Sequence, residues 1–386
     1  VVGVKSICGI EGVKAAGVKE GKFGLTLIQA EGTAAGVYTS NIMKAPPVVL
    51  MQERIARGRL GAVIANSGCA NAYTGDRGYQ DALTMAEIAA GELGLDARDI
   101  GVASTGVIGR YLDIPLITRQ TKELAPRLEC SAPAEIQAAK GIMTTDLFEK
   151  HALVQRETFS VGGITKGSGM IAPNMGTMLA FLYTDAMIDA RDLQASLKIA
   201  VKRTFNRVVV DGDESTNDIA LCTSTGLRGH VNLQEFQNAL EECCRSLAVQ
   251  IATDGEGATK LLEVTVTGAP SEESASAVAK TVIASPLVKT AVYGEDPNWG
   301  RVVAAAGRSG VRFDPYAVSL WISDGNSRAE LVRSGKIVVD LAIAKSLMAG
   351  KKVVFELDLN AGDGTATAWG CDLTEKYVEI NGRYTT

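Results

Sequence analysis

Histidine is nearly missing from this 386-residue chain: there are two, His151 and His230, far apart in sequence. Ser–His–Asp chemistry or a multi-histidine metal site would have to be built from those two, so an enzyme of this sequence needs a base other than imidazole. Metal-ligand spacing is missing as well. The seven cysteines, at 8, 69, 130, 222, 243, 244 and 371, form no C-x-x-C. The adjacent pair Cys243–Cys244 suits neither an ordinary disulfide nor a tetrahedral site, so no metal is expected. An odd number of scattered thiols fits a reducing cytosol. Positive charge is not in excess, with 39 Lys and Arg against 44 Asp and Glu and a net charge of −5. Neither nucleic acid nor an anionic membrane is therefore expected as a partner. No apolar run approaches the ~18 residues of a membrane span. The opening VVGVKSICGIEGVKAAG lacks the basic region and long apolar core of a secretory signal, and its start on Val reads as a processed or trimmed chain. Proline is scarce, at 10 residues, and no low-complexity linker or repeat stands out, so packed lobes are expected rather than tethered ones.

What is present is ordinary globular material. The 46% apolar content over 386 residues suffices for at least two lobes and a large core. Short β-branched runs of strand length recur at Gly24–Ala30, Ala62–Ala65, Ala152–Thr165, Val208–Val210, Leu261–Thr267, Val318–Ser323 and Val353–Leu359. Helical periodicity covers Asp81–Leu95, and Leu193, Leu197, Val201 and Phe205 fall four apart on one helix face. Asn232 with Glu235 reads as an N-cap before the apolar stripe Leu233, Phe236, Leu240, Leu247 and Ile251. Cys243 and Cys244 then belong to that helix, and Ser271–Ala284 reads as another. Strands and helices mix without strict βαβ alternation, which predicts an α+β layered fold.

Three motifs suggest ligands and fail on detail. Gly167–Ala172 fits a relaxed dinucleotide pattern, but Pro173 and Asn174 stand where a helix should start. Gly255–Lys260 lacks the spacing of a phosphate loop. Asp211–Asp218 starts like a calcium loop, yet Thr216 replaces the turn glycine and Cys222 the bidentate Glu. The preferred reading there is a loop whose short polar side chains satisfy backbone groups.

The stretch Thr165–Leu182 (TKGSGMIAPNMGTMLAFL) carries chemistry. A glycine-rich approach runs into an apolar segment at Thr177. A threonine hydroxyl can attack the preceding Gly176 carbonyl if the turn is strained, and an N-to-O acyl shift followed by hydrolysis leaves Thr177 as a new N-terminus. Its α-amine, with an unperturbed pKa of roughly 7.7–8.0, serves as base for its own hydroxyl. Gly32-Thr33 and Gly364-Thr365 are Gly-Thr pairs too, so the dipeptide alone does not decide against a plain strand start.

The surrounding pattern does. The run Lys166-Gly167-Ser168-Gly169-Met170-Ile171, then Pro173-Asn174-Met175 and Thr177-Met178-Leu179, resembles the autocleavage motif of the ornithine acetyltransferase (glutamate N-acetyltransferase) family of arginine biosynthesis. Ordered matches continue along the chain: Asn66-Ser67-Gly68, Ala103–Gly109, Met143–Asp146, Phe205–Arg207 with Val210–Asp213, Gly255–Lys260, Ser285–Thr290, Gly294–Arg301, and the tail from Trp369 to Thr386. The resemblance implies cleavage between Gly176 and Thr177. It gives an α chain, 1–176, supplying the oxyanion hole, and a β chain, 177–386, with a C-terminal α/β lobe from about 266. It also implies an αββα-type sandwich with two facing sheets. Thr177 is the implied nucleophile, and Thr105 and Gly106 the oxyanion pair. Thr144, Lys166, Thr177, Glu256, Asn381 and Thr386 are the implied substrate contacts. By charge, Lys166 is assigned to a carboxylate and Glu256 to an ammonium group. If Thr144 and Thr145 lie on a strand only one faces the pocket, and Thr144 is preferred.

The implied reaction moves acetyl from N2-acetylornithine to Thr177 and then to glutamate, with no cofactor. Acetyl-CoA as a further donor stays open, since no residue decides it. The implied partners are these substrates, the paired α and β chains, and a dimer of αβ units, in the cytoplasm. The alternative class is a self-cleaving aminopeptidase or amidohydrolase with water as acceptor. Departures from the pattern are Gly176 where alanine is common, Ala172 where histidine is often found, Cys69 and Tyr73 in the 66–75 loop, and a shorter segment between Asp146 and Lys166. Neither histidine matches a site position, and both are assigned to structure.

Overall fold

The computed structural model describes residues 3–172 and 178–383, and the statements below concern those residues. It is an α+β layered sandwich with two compact units. The first comprises 1–167, 174–205 and 214–247. The second comprises 168–173, 206–213 and 248–386.

The first unit is built on an eight-stranded sheet. Its order is Ile100–Val107, Arg59–Cys69, Phe23–Tyr38, Ile219–Ser224, Leu179–Thr184, Ser160–Lys166 and Lys150–Gln155, with Lys14–Glu20 paired onto Phe23–Tyr38. The strand Leu179–Thr184 is buried at every position and lies between two neighbours, antiparallel to Ser160–Lys166 and parallel to Ile219–Ser224. Helices Pro46–Ile55, Gly75–Leu93, Ile114–Leu124, Ala132–Ile142 and Ala190–Arg203 complete the layers. Asp113 and Ser131 cap two of them, accepting from Leu116 N and Ala134 N.

Phe23–Tyr38 is sixteen residues long and serves two neighbours in turn. Residues Gly24 to Thr33 pair with Arg59–Cys69, and Thr33 to Tyr38 pair with Ile219–Ser224. In a flat sheet, Gly24 and Tyr38 would stand fourteen steps apart, roughly 45 Å. Yet Asn217, just before the residue opposite Tyr38, donates to Ala70 O at 2.6 Å, just beyond the strand that pairs with Gly24. The strand must therefore bend sharply. The register breaks between Gln29 and Gly32, and a Cβ on Gly32 would stand 2.0 Å from Ser224 O. Glycine lets the backbones close in at that corner.

The second unit has a seven-stranded sheet, ordered Lys336–Ile337, Arg328–Arg333, Ser319–Ser323, Lys352–Asp358, Leu261–Ala269, Gly364–Cys371 and Val208–Val209. Helix Glu272–Ile283, capped by Ser271, and helices Pro286–Tyr293 and Trp299–Gly307 share its apolar core with Val264, Val266, Phe355 and Ala368. Among the described residues no single helix is long and apolar enough to cross a membrane.

Most sequence expectations for single elements hold. The run Ala152–Thr165 divides into two antiparallel strands, because the chain reverses where Arg156 N donates to Phe159 O. The helix expected from Asp81 begins at Gly75 and ends at the left-handed Gly94. Asn232 Oδ1 accepts from Glu235 N at 3.0 Å, as an N-cap does, and Cys243 and Cys244 are fully buried in that helix. No helix starts within Gly167–Ala172. All seven cysteines are unpaired.

Candidate active site

Thr177 and Gly176 lie outside the described residues, as does Thr386. The other expected site residues are described, and each is taken within its own unit.

In the first unit, Thr105 and Gly106 end the strand Ile100–Val107. Thr105 is buried, and its Oγ1 has no hydrogen-bond partner among the described residues. A buried hydroxyl left without a partner costs stability. Gly106 has φ +132°, and a Cβ there would stand 2.4 Å from Gly68 C and 2.6 Å from Cys69 N. Only glycine fits, and the pairing with Arg59–Cys69 slips at this point. Asn217 Nδ2 donates to Ser104 O at 2.9 Å as well as to Ala70 O, pinning the approach to Thr105.

Lys166 ends the strand Ser160–Lys166, fully buried, with Nζ 4.0 Å from Asp146 Oδ2. Asp146 is the centre of a cluster. Its Oδ1 accepts from Lys150 Nζ at 2.7 Å and from Gly167 N at 2.7 Å, and its Oδ2 accepts from Thr144 N at 3.0 Å. Burial pushes the Asp146 carboxyl upward, but Lys166 and Lys150 outweigh it and hold the group well below the usual carboxylate range. Thr144 and Thr145 lie in a bend after helix Ala132–Ile142, not on a strand, so alternation does not choose between them. Thr144 is half-buried and tied to Asp146 through its backbone.

Lys19 joins this cluster, and nothing in the sequence reading singled it out. Its ammonium donates to Ser67 Oγ at 2.8 Å and to Met143 O. Burial, with Lys166 adding to it against the pull of Asp146, pushes Lys19 down to about 8. A lysine in a plain hairpin gives no local signal of this. Removing Asp146 strips Lys150 and Lys166 of a buried counter-charge. Asp146→Ala is expected to lose about 3–5 kcal/mol of stability, read as a shift in the denaturant midpoint. The sign of the pH effect follows. A depressed carboxyl contributes stability above its ordinary pKa of about 3.9, and that contribution is lost as pH falls below it. This component of acid sensitivity should be missing in Asp146→Asn.

Met178, at the start of Leu179–Thr184, donates its N–H to Asp218 Oδ1 at 2.9 Å, and its carbonyl accepts from Ile219 N at 3.2 Å. Asp218 is fully buried, and burial raises its carboxyl well above the usual range, against the opposing pull of the Met178 N–H, Thr39 and Lys166.

In the second unit, Glu256 and Asn381 come together. Asn381 Nδ2, at the end of helix Glu375–Asn381, donates to Glu256 Oε2 at 2.7 Å. Glu256 N donates to Ser168 O at 2.8 Å. A Cβ on Gly169 would stand 2.3 Å from Glu256 Cδ, so a side chain there would push the Glu256 carboxyl aside. Met170 follows with φ +54°, a strained value for a side-chain-bearing residue. Asp211 holds that turn, accepting from Met170 N at 2.6 Å and Ile171 N at 2.9 Å. The decoy calcium loop thus does satisfy backbone groups.

Neither histidine stands among these residues. His151 Nδ1 is 2.8 Å from Ser6 Oγ, whose hydroxyl also meets Glu135, and His230 is exposed. Among the described residues no group of His, Cys, Asp and Glu could hold a metal ion.

A family model described as the ArgJ family matches residues 11–386. The chain is 52% identical over 388 residues to a glutamate N-acetyltransferase of Methanosarcina mazei, covering 98% of each chain. It is 48% identical over 365 residues to the arginine biosynthesis bifunctional protein ArgJ of Symbiobacterium thermophilum, covering 92% of this chain and 89% of that one. A crystal structure of the arginine biosynthesis bifunctional protein ArgJ from Bacillus halodurans is 40% identical with a TM-score of 0.49, over 51% of this chain and 95% of that one.

Proposed function

Because the chain belongs to the ArgJ family and is an acyltransferase of that kind, we propose that it moves the acetyl group of N2-acetyl-L-ornithine to L-glutamate through an acetyl ester on Thr177. The observation that carries this reading is the near-full-length match to relatives named as glutamate N-acetyltransferases. The buried Thr105 hydroxyl, without a partner among the described residues and beside a glycine that admits no side chain, supports the oxyanion assignment. The hydrolase alternative is not favoured, since these relatives are named for acetyl transfer.

The chemistry balances with no cofactor. Thr177 Oγ first attacks the Gly176 carbonyl carbon, the peptide C–N bond breaks, and water hydrolyses the resulting ester. Residues 1–176 and 177–386 are then separate chains, and Thr177 carries a free amine. In transfer, that amine takes the hydroxyl proton as Oγ attacks the acetyl carbon. The bond to ornithine nitrogen breaks, and the nitrogen leaves with the proton. Glutamate's amine attacks the ester carbon, the bond between the acetyl carbon and Thr177 Oγ breaks, and the proton lost by the attacking nitrogen passes through the Thr177 amine to Oγ. Both tetrahedral oxyanions are held by the Thr105 hydroxyl and the Gly106 N–H.

The substrate roles fall on Thr144, Lys166, Glu256, Asn381, Thr177 and Thr386. Lys166 takes a substrate carboxylate, with Lys19 adding positive charge nearby, and Glu256, oriented by Asn381, takes an ammonium. Two αβ units form the working assembly, and the seven unpaired thiols support a reducing compartment. Incubation with acetylornithine, with and without glutamate, tests the transfer. Ornithine release that depends on glutamate is expected. Equal release without glutamate would assign the site to hydrolysis.

A further inference from the structure

We propose that the 215–218 loop is the positioning device of this site: Asp218 fixes the residue bonded to the nucleophile, and Asn217 fixes the strand end that carries the oxyanion donors. The proposal rests on Thr177 being the nucleophile, as argued above.

Met178 N is joined by the peptide bond to Thr177, and it donates to Asp218 Oδ1 at 2.9 Å. Ser104 O belongs to the peptide bond that joins Thr105, and it accepts from Asn217 Nδ2 at 2.9 Å. Two adjacent buried side chains thus hold the covalent neighbours of the nucleophile and of the oxyanion donor. The loop is itself pinned throughout. Asn217 Oδ1 accepts from Thr216 Oγ1 at 2.6 Å, Asn217 N donates to Ser215 Oγ at 3.1 Å, Thr39 N donates to Asp218 O at 3.1 Å, and Ala45 N donates to Thr216 O at 2.9 Å.

Packing alone gives no reason for a carboxyl here. Asp218 is fully buried, and its Oδ2 has no partner of good hydrogen-bond geometry among the described residues; the Thr39 hydroxyl stands close enough to favour the carboxylate but donates to Ser215 O at 2.7 Å. Such a group costs stability and needs a geometric task to account for it. Burial favours its neutral form, which an asparagine matches in shape, charge and acceptor.

The test uses the full precursor as wild type, Asp218→Ala, Asp218→Asn, Asn217→Ala and Thr177→Ala. Denaturing mass spectrometry follows the cut fraction with time, and steady-state kinetics and thermal midpoints are measured on the cut protein. Asp218→Ala and Asn217→Ala are expected to slow cleavage and lower kcat by about tenfold to a hundredfold, with KM within about twofold, since displacement of reacting groups by an ångström costs that much. Asp218→Asn restores both. Wild-type cleavage and kcat in the alanine variants overturn the proposal. So does an Asp218→Asn as slow as Asp218→Ala, which would make the proton and not the position essential. Should Asp218→Ala fail to fold, Asp218→Asn against Asp218→Glu carries the test: the first should cut normally, and the second, with its acceptor moved by one methylene, should not. Activity in Thr177→Ala would sink the nucleophile assignment itself. An inactive Thr177→Ala beside a normal Asp218→Ala would sink only the positioning role.

Discussion

Thr177→Ala is expected to give a single 40.5 kDa chain that releases no ornithine. The expected loss in kcat is on the order of 10⁴-fold or more, because the substitution removes nucleophile and base together. The uncut chain keeps a peptide nitrogen at residue 177 in place of an amine, and alanine has no oxygen to acylate. Mass spectrometry gives the decisive pattern. Wild type is expected to divide into two chains, and brief exposure to acetylornithine to add one acetyl group to the 177–386 chain. A single intact wild-type species in active material would overturn the self-cleavage model.

The second large effect separates activity from stability. Thr105→Val swaps a hydroxyl for a methyl of similar volume at a buried site where Oγ1 has no partner among the described residues. Removing an unsatisfied buried hydroxyl is neutral or stabilising, so the thermal midpoint should hold or rise. Removing an oxyanion donor costs about 10²–10³ in kcat, about 2.7–4 kcal/mol of transition-state stabilisation. Stability and catalysis then move apart in one variant. A fall in midpoint with kcat intact would assign Thr105 to structure and leave the oxyanion to other donors.

Legibility followed the range of the interactions. Strands such as Leu261–Ala269 and Lys352–Asp358 were plain because their β-branched runs are local. Phe23–Tyr38 is legible only over Gly24–Ala30, because its second half is small residues that become a strand by pairing with Ile219–Ser224. The Arg156–Phe159 reversal is marked only by the polar run Gln155-Arg156-Glu157-Thr158, which holds none of the Gly, Pro, Asn or Asp residues that signal a turn. Thr105, Lys166, Glu256 and Asn381 were named through resemblance, and the chemistry of single residues would not have chosen them. Lys19 and Asp218 escaped altogether. Asp218 sat in a loop correctly read as satisfying backbone groups, but its acceptor serves a residue 40 positions away and its neighbour Asn217 serves one 113 positions away. No local pattern encodes such reach.

The bend at Gln29–Gly32 also sets a clock. Contacts that span a hundred residues carry a large loop-closure cost and tend to form late. Only after the long strand has turned its corner can Asn217 reach Ser104. A chain that has not completed this fold lacks the arrangement proposed for cutting, so the proposed break between residues 176 and 177 would be a covalent timestamp of native assembly. A denaturing gel then sorts mature molecules from stalled ones with no activity assay, and a Gly32 variant that cannot turn the corner would accumulate as one unbroken band.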